Sequence, residues 1–326
     1  MEYTNLGGPG GPRISTLALG VMTFGAVVEE ATSFAILDRF REAGGTFIDT
    51  ADCYCFWIEG RTGRESEELL GRWLAARGCR DDVVLSTKVG AQPDPALAGT
   101  WPRNAEGLSN ATVRAAADGS LERLRTDHVE ILFAHIQDLS VELRETVGAF
   151  AELITDGKIG AAGVSNHPTS VIRTARAAAA ELAVPPYTAV QQRHSFLRPR
   201  PGASFYGYGP QVAADEELLA LVRTSPDLSM MAYSFLIEGA LVREDRPLPW
   251  QYDTAQNQAR RQALWRVAAE AGVTRTQLAL AWLLRGETDI VPIIGVSSVA
   301  QLDDALGALD VPPDAVAELV EAAEEA

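Results

Sequence analysis

The sequence predicts a single α/β domain over residues 1–326, built as a closed (β/α)8 TIM barrel. Short apolar runs rich in β-branched residues alternate eight times with amphipathic stretches of helical length. No stretch rich in Pro, Gly or Ser interrupts this alternation as an interdomain linker would. The first glycines precede the first strand, whereas a doubly wound dinucleotide-binding sheet needs a glycine-rich turn after an early strand.

The predicted strands are short, and each is followed by a helical segment. They span residues 16–22 (TLALGVM), 46–52 (TFIDTAD), 83–89 (VVLSTKV), 129–135 (VEILFAH), 161–165 (AAGVS), 188–193 (TAVQQR), 229–234 (SMMAYS) and 289–294 (DIVPII). The helical segments repeat apolar residues at three- and four-residue spacing, and the last is expected over residues 299–309.

Three long irregular stretches, residues 91–107, 196–212 and 243–255, follow strands or lie near their C-terminal ends. In a TIM barrel the loops at this end carry the active site. The aromatic residues of these stretches are Trp101, Phe196, Phe205, Tyr206, Tyr208, Trp250 and Tyr252. Such a concentration predicts the rim of a pocket for a cofactor and an organic substrate.

The composition excludes several classes of partner. A net charge of −16 argues against nucleic acid or an anionic membrane as a partner. No apolar run is long enough to span a membrane, and the N-terminus does not resemble a secretory signal, so we expect a cytoplasmic protein. The three cysteines, Cys53, Cys55 and Cys79, lack the spacing of a disulfide framework or a metal site, so no metal is expected. No pattern specifies an oligomeric state.

Ionisable residues stand at the ends of three consecutive predicted strands. Asp49, Lys88 and His135 each follow apolar residues, and Tyr54 lies just beyond the first of these strands. Because an unpaired buried charge costs several kcal/mol, Asp49 and Lys88 are expected to form an ion pair in the barrel mouth.

This pair suggests a role for the tyrosine. A free phenol has a pKa of about 10, and a nearby ammonium is expected to lower the pKa of Tyr54 so that it serves as a general acid or base. Asp49 would keep Lys88 charged, and a neutral His135 would orient a substrate oxygen. Taken singly, each residue has an ordinary structural explanation. An aldolase-like Schiff base on Lys88 is an alternative that the neighbouring carboxylate disfavours.

The chain resembles the aldo-keto reductase superfamily over nearly its whole length. Eight motifs occur in the order of that family: FIDTADCY (47–54), GRESEELLGRWL (63–74), STKVG (86–90), SLERLRTDHVEILFAH (120–135), GKIGAAGVSN (157–166), AVQQRHSFL (189–197), AYSFLIEGAL (232–241) and VPIIGVSSVAQLDDAL (291–306). The resemblance implies catalysis by Asp49, Tyr54, Lys88 and His135, and a cofactor that is NADP(H) or NAD(H).

The resemblance also implies a cofactor site. It assigns the nicotinamide carboxamide to Ser165, Asn166 and Gln191, with Tyr233 stacked on the ring. The nicotinamide ribose is assigned to Gly20, Val21 and Met22 beside Asp49, and the pyrophosphate to Ser234, Phe235, Leu236 and Gly239. The adenosine end is assigned to Gly295, Ser297, Ser298 and Gln301. Ser298 stands where members that prefer NADP carry Arg or Lys, and Asp303 and Asp304 add negative charge there, so NAD and NADP both stay open. Phe235 replaces a usual proline and is expected to add bulk beside the pyrophosphate loop.

The sequence therefore predicts an oxidoreductase that interconverts a small carbonyl compound and its alcohol. Aromatic loops favour a neutral organic carbonyl or a sugar-like polyol, while Arg193, Arg198 and Arg200 leave a carboxylate substrate open. The alternative from another class is a regulatory subunit that binds a nicotinamide nucleotide on the same barrel without turnover.

Overall fold

A computed structural model of the protein describes residues 1–205, 211–286, 288 and 290–324. The predicted barrel is confirmed: eight parallel strands close in the order β10-β3-β4-β5-β6-β7-β8-β9. The strands are β1 (Tyr3–Asn5), β2 (Arg13–Ser15), β3 (Ala18–Gly20), β4 (Phe47–Asp49), β5 (Val84–Val89), β6 (Val129–Ala134), β7 (Ile159–Ser165), β8 (Ala189–Arg193), β9 (Ser229–Tyr233) and β10 (Ile290–Gly295). Tyr206, Tyr208 and the first residue of the predicted strand 289–294 lie outside the described residues.

Helices surround the barrel. They are α1 (Glu30–Glu42), α2 (Glu65–Arg77), α3 (Asn110–Leu124), α4 (Leu143–Thr155), α5 (Thr169–Leu182), α6 (Glu216–Thr224), α7 (Ala255–Glu270), α8 (Arg275–Leu284), α9 (Val299–Leu306) and α10 (Pro313–Glu324). The last predicted helix ends three residues early, because the chain tightens into a 3-10 turn over Gly307–Asp310. None of the described helices combines the length and the apolar character that a membrane crossing requires.

Two additions to the barrel were not predicted. The antiparallel hairpin of β1 and β2 brings Leu6 and Ile14 into the apolar cluster of inward-facing strand residues, which also contains Phe47 and Phe133. Helices α7 and α10 pack on each other and on α8, outside the ring of strands. Helix α7 lacks an apolar stripe that a sequence reading could recognise, since two of its buried residues are arginines.

The aromatic residues of the long loops differ in how deeply they are buried. Phe196, Phe205 and Tyr252 are buried in a second core with α7, α8 and α10, so their predicted place on a pocket rim is wrong. Their rings fill the space between these helices and the loops. Trp250 is 59% exposed, and Trp101 packs in a small cluster with Tyr54 at the end of β4. Of the predicted rim aromatics described here, Trp101 is thus the one that packs with Tyr54.

Candidate active site

The parallel register of β4 and β5 brings Asp49 and Lys88 to the same end of the barrel. The Lys88 ammonium is fully buried and donates three hydrogen bonds of 2.7 Å, to Asp49 Oδ2, to the Thr50 carbonyl and to the Tyr54 hydroxyl oxygen. Asp49 Oδ1 accepts from Ser86 Oγ at 2.7 Å and from Gln191 Nε2 at 2.9 Å. Both charges therefore have full hydrogen-bonding shells, which buried ions require.

The phenol of Tyr54 is held by this pair. Burial raises the pKa of the Tyr54 hydroxyl well above its usual value, and the Asp49 carboxylate raises it further. The expectation of a lowered pKa is therefore wrong. Lys88 lies 2.7 Å from the phenol oxygen, but its charge is balanced by Asp49, so it does not outweigh the desolvation of a phenolate. Because Lys88 donates to this oxygen, the hydroxyl proton is free to point elsewhere.

His135 follows β6, and its ring meets that of Tyr54 edge to face with centroids 5.8 Å apart. Burial and the Lys88 charge lower the pKa of His135 well below its usual value, so the imidazole is neutral near pH 7, as the sequence predicts. Its Nδ1 atom lies 3.3 Å from Sγ of Cys53.

Asp52, Cys53 and His135 place ligand-type atoms within 4.8 Å of one another. Lys88 acts electrostatically on both the thiol and the imidazole, and its positive charge disfavours a cation at this point. The thiol and the imidazole are also within hydrogen-bonding distance of each other. Cys53 and His135 therefore form a hydrogen-bonded pair, and Asp52 lies beside them in hydrogen-bonding range of Glu106.

The predicted carboxamide residues converge on the ends of β7 and β8. Ser165 pairs with Gln191 in register, and the Gln191 amide donates to Asp49. The Asn166 amide is already engaged: its Nδ2 donates to Ser165 Oγ and to the His135 carbonyl, both at 3.0 Å, and its Oδ1 accepts from the Tyr233 hydroxyl at 2.5 Å. Within the described residues, the Ser165 hydroxyl proton and Gln191 Oε1 have no hydrogen-bond partner, so these two groups are available to a ligand.

The three residues that are predicted to contact the nicotinamide ribose differ in burial and in backbone hydrogen bonding. Gly20 ends β3 beside Asp49, and Met22 is 44% exposed. Val21 is fully buried in the main core, and its amide and carbonyl are bonded to the Asp49 carbonyl and the Ser66 hydroxyl. Val21 therefore supports the fold at this point, and its contact with a ligand stays a prediction.

The predicted pyrophosphate loop has an unusual backbone. Ser234, Ile237 and Glu238 have φ values of 52°, 53° and 50°, and Gly239 has 89°. Left-handed non-glycine residues are costly and cluster at functional sites. Leu236 packs against both the main and the second core, and Phe235 is buried in the main core. The ring of Phe235 thus fills space in the main core, which corrects the prediction that it adds bulk beside the loop.

The predicted adenosine residues form the cap of α9. The Ser298 hydroxyl oxygen accepts a hydrogen bond from the backbone N–H of Gln301 at 3.2 Å. The side-chain oxygen Oε1 of Gln301 accepts one from the backbone N–H of Ser297 at 2.8 Å. Gly295 ends β10 with open space where a Cβ would stand. Asp303 is paired with Arg39 at 2.8 Å, so it adds less negative charge to this end than the sequence alone suggests.

Sequence reasoning missed the residues that support the ion pair and the histidine. Ser86 and Thr50 complete the shells of Asp49 and Lys88. Asp52 is buried in hydrogen-bonding range of Glu106 from the long loop after β5, and burial and Glu106 raise the pKa of Asp52 well above its usual value. The position of Ser86 two residues before Lys88 was a usable signal, since alternate strand residues share a face. Nothing in the sequence indicated that Glu106 meets Asp52.

Comparison with known proteins agrees with this geometry. The model of the Aldo/keto reductase family matches residues 16–324. The chain is 31% identical to the uncharacterized oxidoreductase YrpG of Bacillus subtilis over 96% of this chain and 93% of that protein. It is 29% identical to norsolorinic acid reductase stcV of Emericella nidulans over 92% of this chain and 76% of that protein. It is 26% identical to aryl-alcohol dehydrogenase GME11368 of Pestalotiopsis microspora over 87% of this chain and 71% of that protein. The chain therefore belongs to the aldo/keto reductase family and is an oxidoreductase.

Proposed function

We propose that the protein reduces the carbonyl group of a neutral aromatic compound with NADH or NADPH, and that Tyr54 is the proton donor. The observation that carries this proposal is the set of three hydrogen bonds from buried Lys88, which joins Tyr54 to Asp49 in one site. A bound nicotinamide supplies a hydride to the carbonyl carbon.

Tyr54 gives its hydroxyl proton to the carbonyl oxygen as negative charge develops there. The phenol is protonated at neutral pH, so it carries the proton that this direction requires. Lys88 already donates to the phenol oxygen, so it stabilises the phenolate that remains after proton transfer without any rearrangement. Asp49 holds the ammonium in place. A neutral His135 can donate one N–H to the same carbonyl oxygen and align it for attack.

The residues present fit a nicotinamide. A carboxamide offers one acceptor oxygen and an NH2 donor, which match the free Ser165 hydroxyl and Gln191 Oε1. The loop from Ser234 to Gly239, in which Ser234, Ile237, Glu238 and Gly239 are left-handed, and the N-terminus of α9 offer backbone amides for phosphate groups. The exposed Ser297 and the half-buried Ser298 would face the ribose end, and neither supplies the cation that a 2′-phosphate prefers.

Aromatic side chains support an aryl substrate. Phe56 and Trp101 pack with Tyr54 in one apolar cluster, and their ring centroids are 5.2 Å apart. The similarity to an aryl-alcohol dehydrogenase points the same way. Two of the arginines that left a carboxylate open are engaged: Arg193 is buried and bonded to Glu238, and Arg200 donates to backbone carbonyls. The side chain of Arg198 is 68% exposed and lies 3.6 Å from Glu216.

The test is the oxidation of NADH and NADPH with a panel of aryl aldehydes, aryl ketones, sugars and aliphatic aldehydes. We expect turnover with the aryl carbonyls and the reverse reaction with the corresponding alcohols. Nucleotide binding, followed by tryptophan fluorescence, is measured on the same sample. Binding without turnover on any substrate would contradict the proposal and favour a nucleotide-binding regulatory subunit.

A further inference from the structure

Cys53 directly precedes Tyr54, and its side chain is 2% exposed. Within the part of the chain that the structure describes, its thiol has one hydrogen-bond partner, Nδ1 of His135 at 3.3 Å. Cys53 belongs to the small apolar cluster with Ala51, Ala91 and Ile136, and its sulfur contacts the ring nitrogen directly. The sulfur side of the contact is therefore buried among apolar residues.

Two arrangements of protons fit this contact. Burial raises the pKa of the Cys53 thiol, so the sulfur keeps its proton, and the His135 ring is neutral with a single N–H. Either S–H donates to Nδ1 and the ring proton is on Nε2, or Nδ1–H donates to sulfur and Nε2 is bare.

The first arrangement satisfies more groups. Sulfur is a weak acceptor, and in the second arrangement the thiol proton would have no acceptor among the described residues. Nδ1 is a good acceptor, and its one contact is the thiol. Nε2 has no partner among these residues, so it is the nitrogen left for a ligand.

We propose that Cys53 is a positioning residue that donates its thiol proton to Nδ1 of His135 and thereby fixes the ring proton on Nε2. The catalytic consequence rests on the proposed function: Nε2–H can donate to a carbonyl oxygen, whereas a bare Nε2 would repel it. A second function of the contact is to fix the ring plane against Tyr54, which the edge-to-face packing also favours.

The experiment is side-chain 15N NMR of the four histidines in the full-length protein, with His135→Gln used to assign the His135 signals. The variant is Cys53→Ala, and the matched control is Cys79→Ala, which removes an equally buried thiol from the main core. Cys53→Ser restores a donor. We expect a protonated Nε2 and a bare Nδ1 in the wild type and in Cys79→Ala. In Cys53→Ala we expect both His135 signals to move towards a mixture of tautomers, with partial return in Cys53→Ser.

The kinetic arm uses the best aryl carbonyl found in the substrate panel. Loss of one hydrogen bond should lower kcat/KM about two- to tenfold in Cys53→Ala, with partial recovery in Cys53→Ser. A protonated Nδ1 in the wild type, or unchanged His135 signals in Cys53→Ala, would overturn the inference. So would a shift of these signals on adding EDTA, which would indicate a cation between the two side chains. If the protein reduces no substrate, the NMR result still decides the tautomer, and only the proposed function fails.

Discussion

The two ends of the candidate cofactor site are built in opposite ways. At the reacting end, Asp49 and Lys88 are buried, and each has several hydrogen bonds with lengths of 2.7 to 2.9 Å. At the predicted adenosine end, Ser297 and Gln301 are exposed, Ser298 is half-buried, and the three bond to one another as a helix cap. The reacting end tolerates little change, because each group there holds a neighbour in place.

This difference has energetic consequences. Removing one partner of a buried ion pair leaves an uncompensated charge and costs about 3–5 kcal/mol. Replacing an exposed capping serine costs about 1 kcal/mol. Substitutions at the reacting end should therefore change catalysis strongly, whereas substitutions at the adenosine end should change the choice of cofactor modestly.

The largest effect is expected from Tyr54→Phe. Removing the proton donor should lower kcat for carbonyl reduction by roughly 10²–10⁴-fold, the usual contribution of general acid catalysis. Nucleotide binding, measured by tryptophan fluorescence, should stay nearly unchanged. The matched control is Tyr187→Phe, which removes a buried hydroxyl with no partner among the described residues. Parallel loss of binding and turnover in Tyr54→Phe would argue against an acid–base role.

The ion pair gives the next largest effect. Lys88→Met should lower the free energy of unfolding by about 3–5 kcal/mol, because the Asp49 carboxylate stays buried without its cation. Adding Asp49→Asn should recover much of this stability but none of the activity, since the phenolate still lacks Lys88. For both variants, thermal unfolding measures the stability and steady-state kinetics measures the activity. Recovery of activity in the double variant would show that Lys88 acts only in folding.

The pH dependence follows from the raised pKa of Tyr54. Carbonyl reduction needs the protonated phenol, so kcat for reduction should stay level from about pH 7 to about pH 9. Alcohol oxidation needs the phenolate, so its rate should rise about tenfold per pH unit over the same range. The two directions are measured with one substrate pair. A fall in reduction through this range would indicate a pKa lowered by Lys88.

The smallest effect is expected at the adenosine end. Ser298→Arg should raise the preference for NADPH over NADH about fivefold, because an exposed guanidinium gains roughly 1 kcal/mol from a phosphate. Ser298→Ala is the control, since it loses the same cap of α9 without adding charge. The ratio of the two kcat/KM values is the readout. An unchanged ratio in Ser298→Arg would place the 2′ position of the ribose elsewhere.

Much of the reacting end could be predicted because the strands are short and a polar residue, Asp49, Lys88 or His135, stands at or next to their C-terminal ends. The strands that end at Asp49 and shortly after Lys88 were predicted from their apolar runs, and the closed parallel order then brings these ends together. The adenosine end could be predicted only through the resemblance, since serines and glutamine at a helix start are typical of any cap.

The errors have a common cause. The pKa of Tyr54 was predicted from one neighbour, but burial of the ring and the balance of Lys88 by Asp49 reverse the direction. The loop aromatics were assigned to a pocket rim, but Phe205 and Tyr252 fill a second core that forms with α7, α8 and α10. Both depend on what packs around a side chain, which sequence spacing does not report.

The sequence alone determined the barrel, the order of its strands along the chain, and the four residue types that meet at its mouth. Periodicity and strand ends are local properties, so a linear chain displays them. The tertiary structure decided the protonation of Tyr54, the partner of Asp52 and the contact between Cys53 and His135, because desolvation and long-range contacts exist only after the chain has closed on itself.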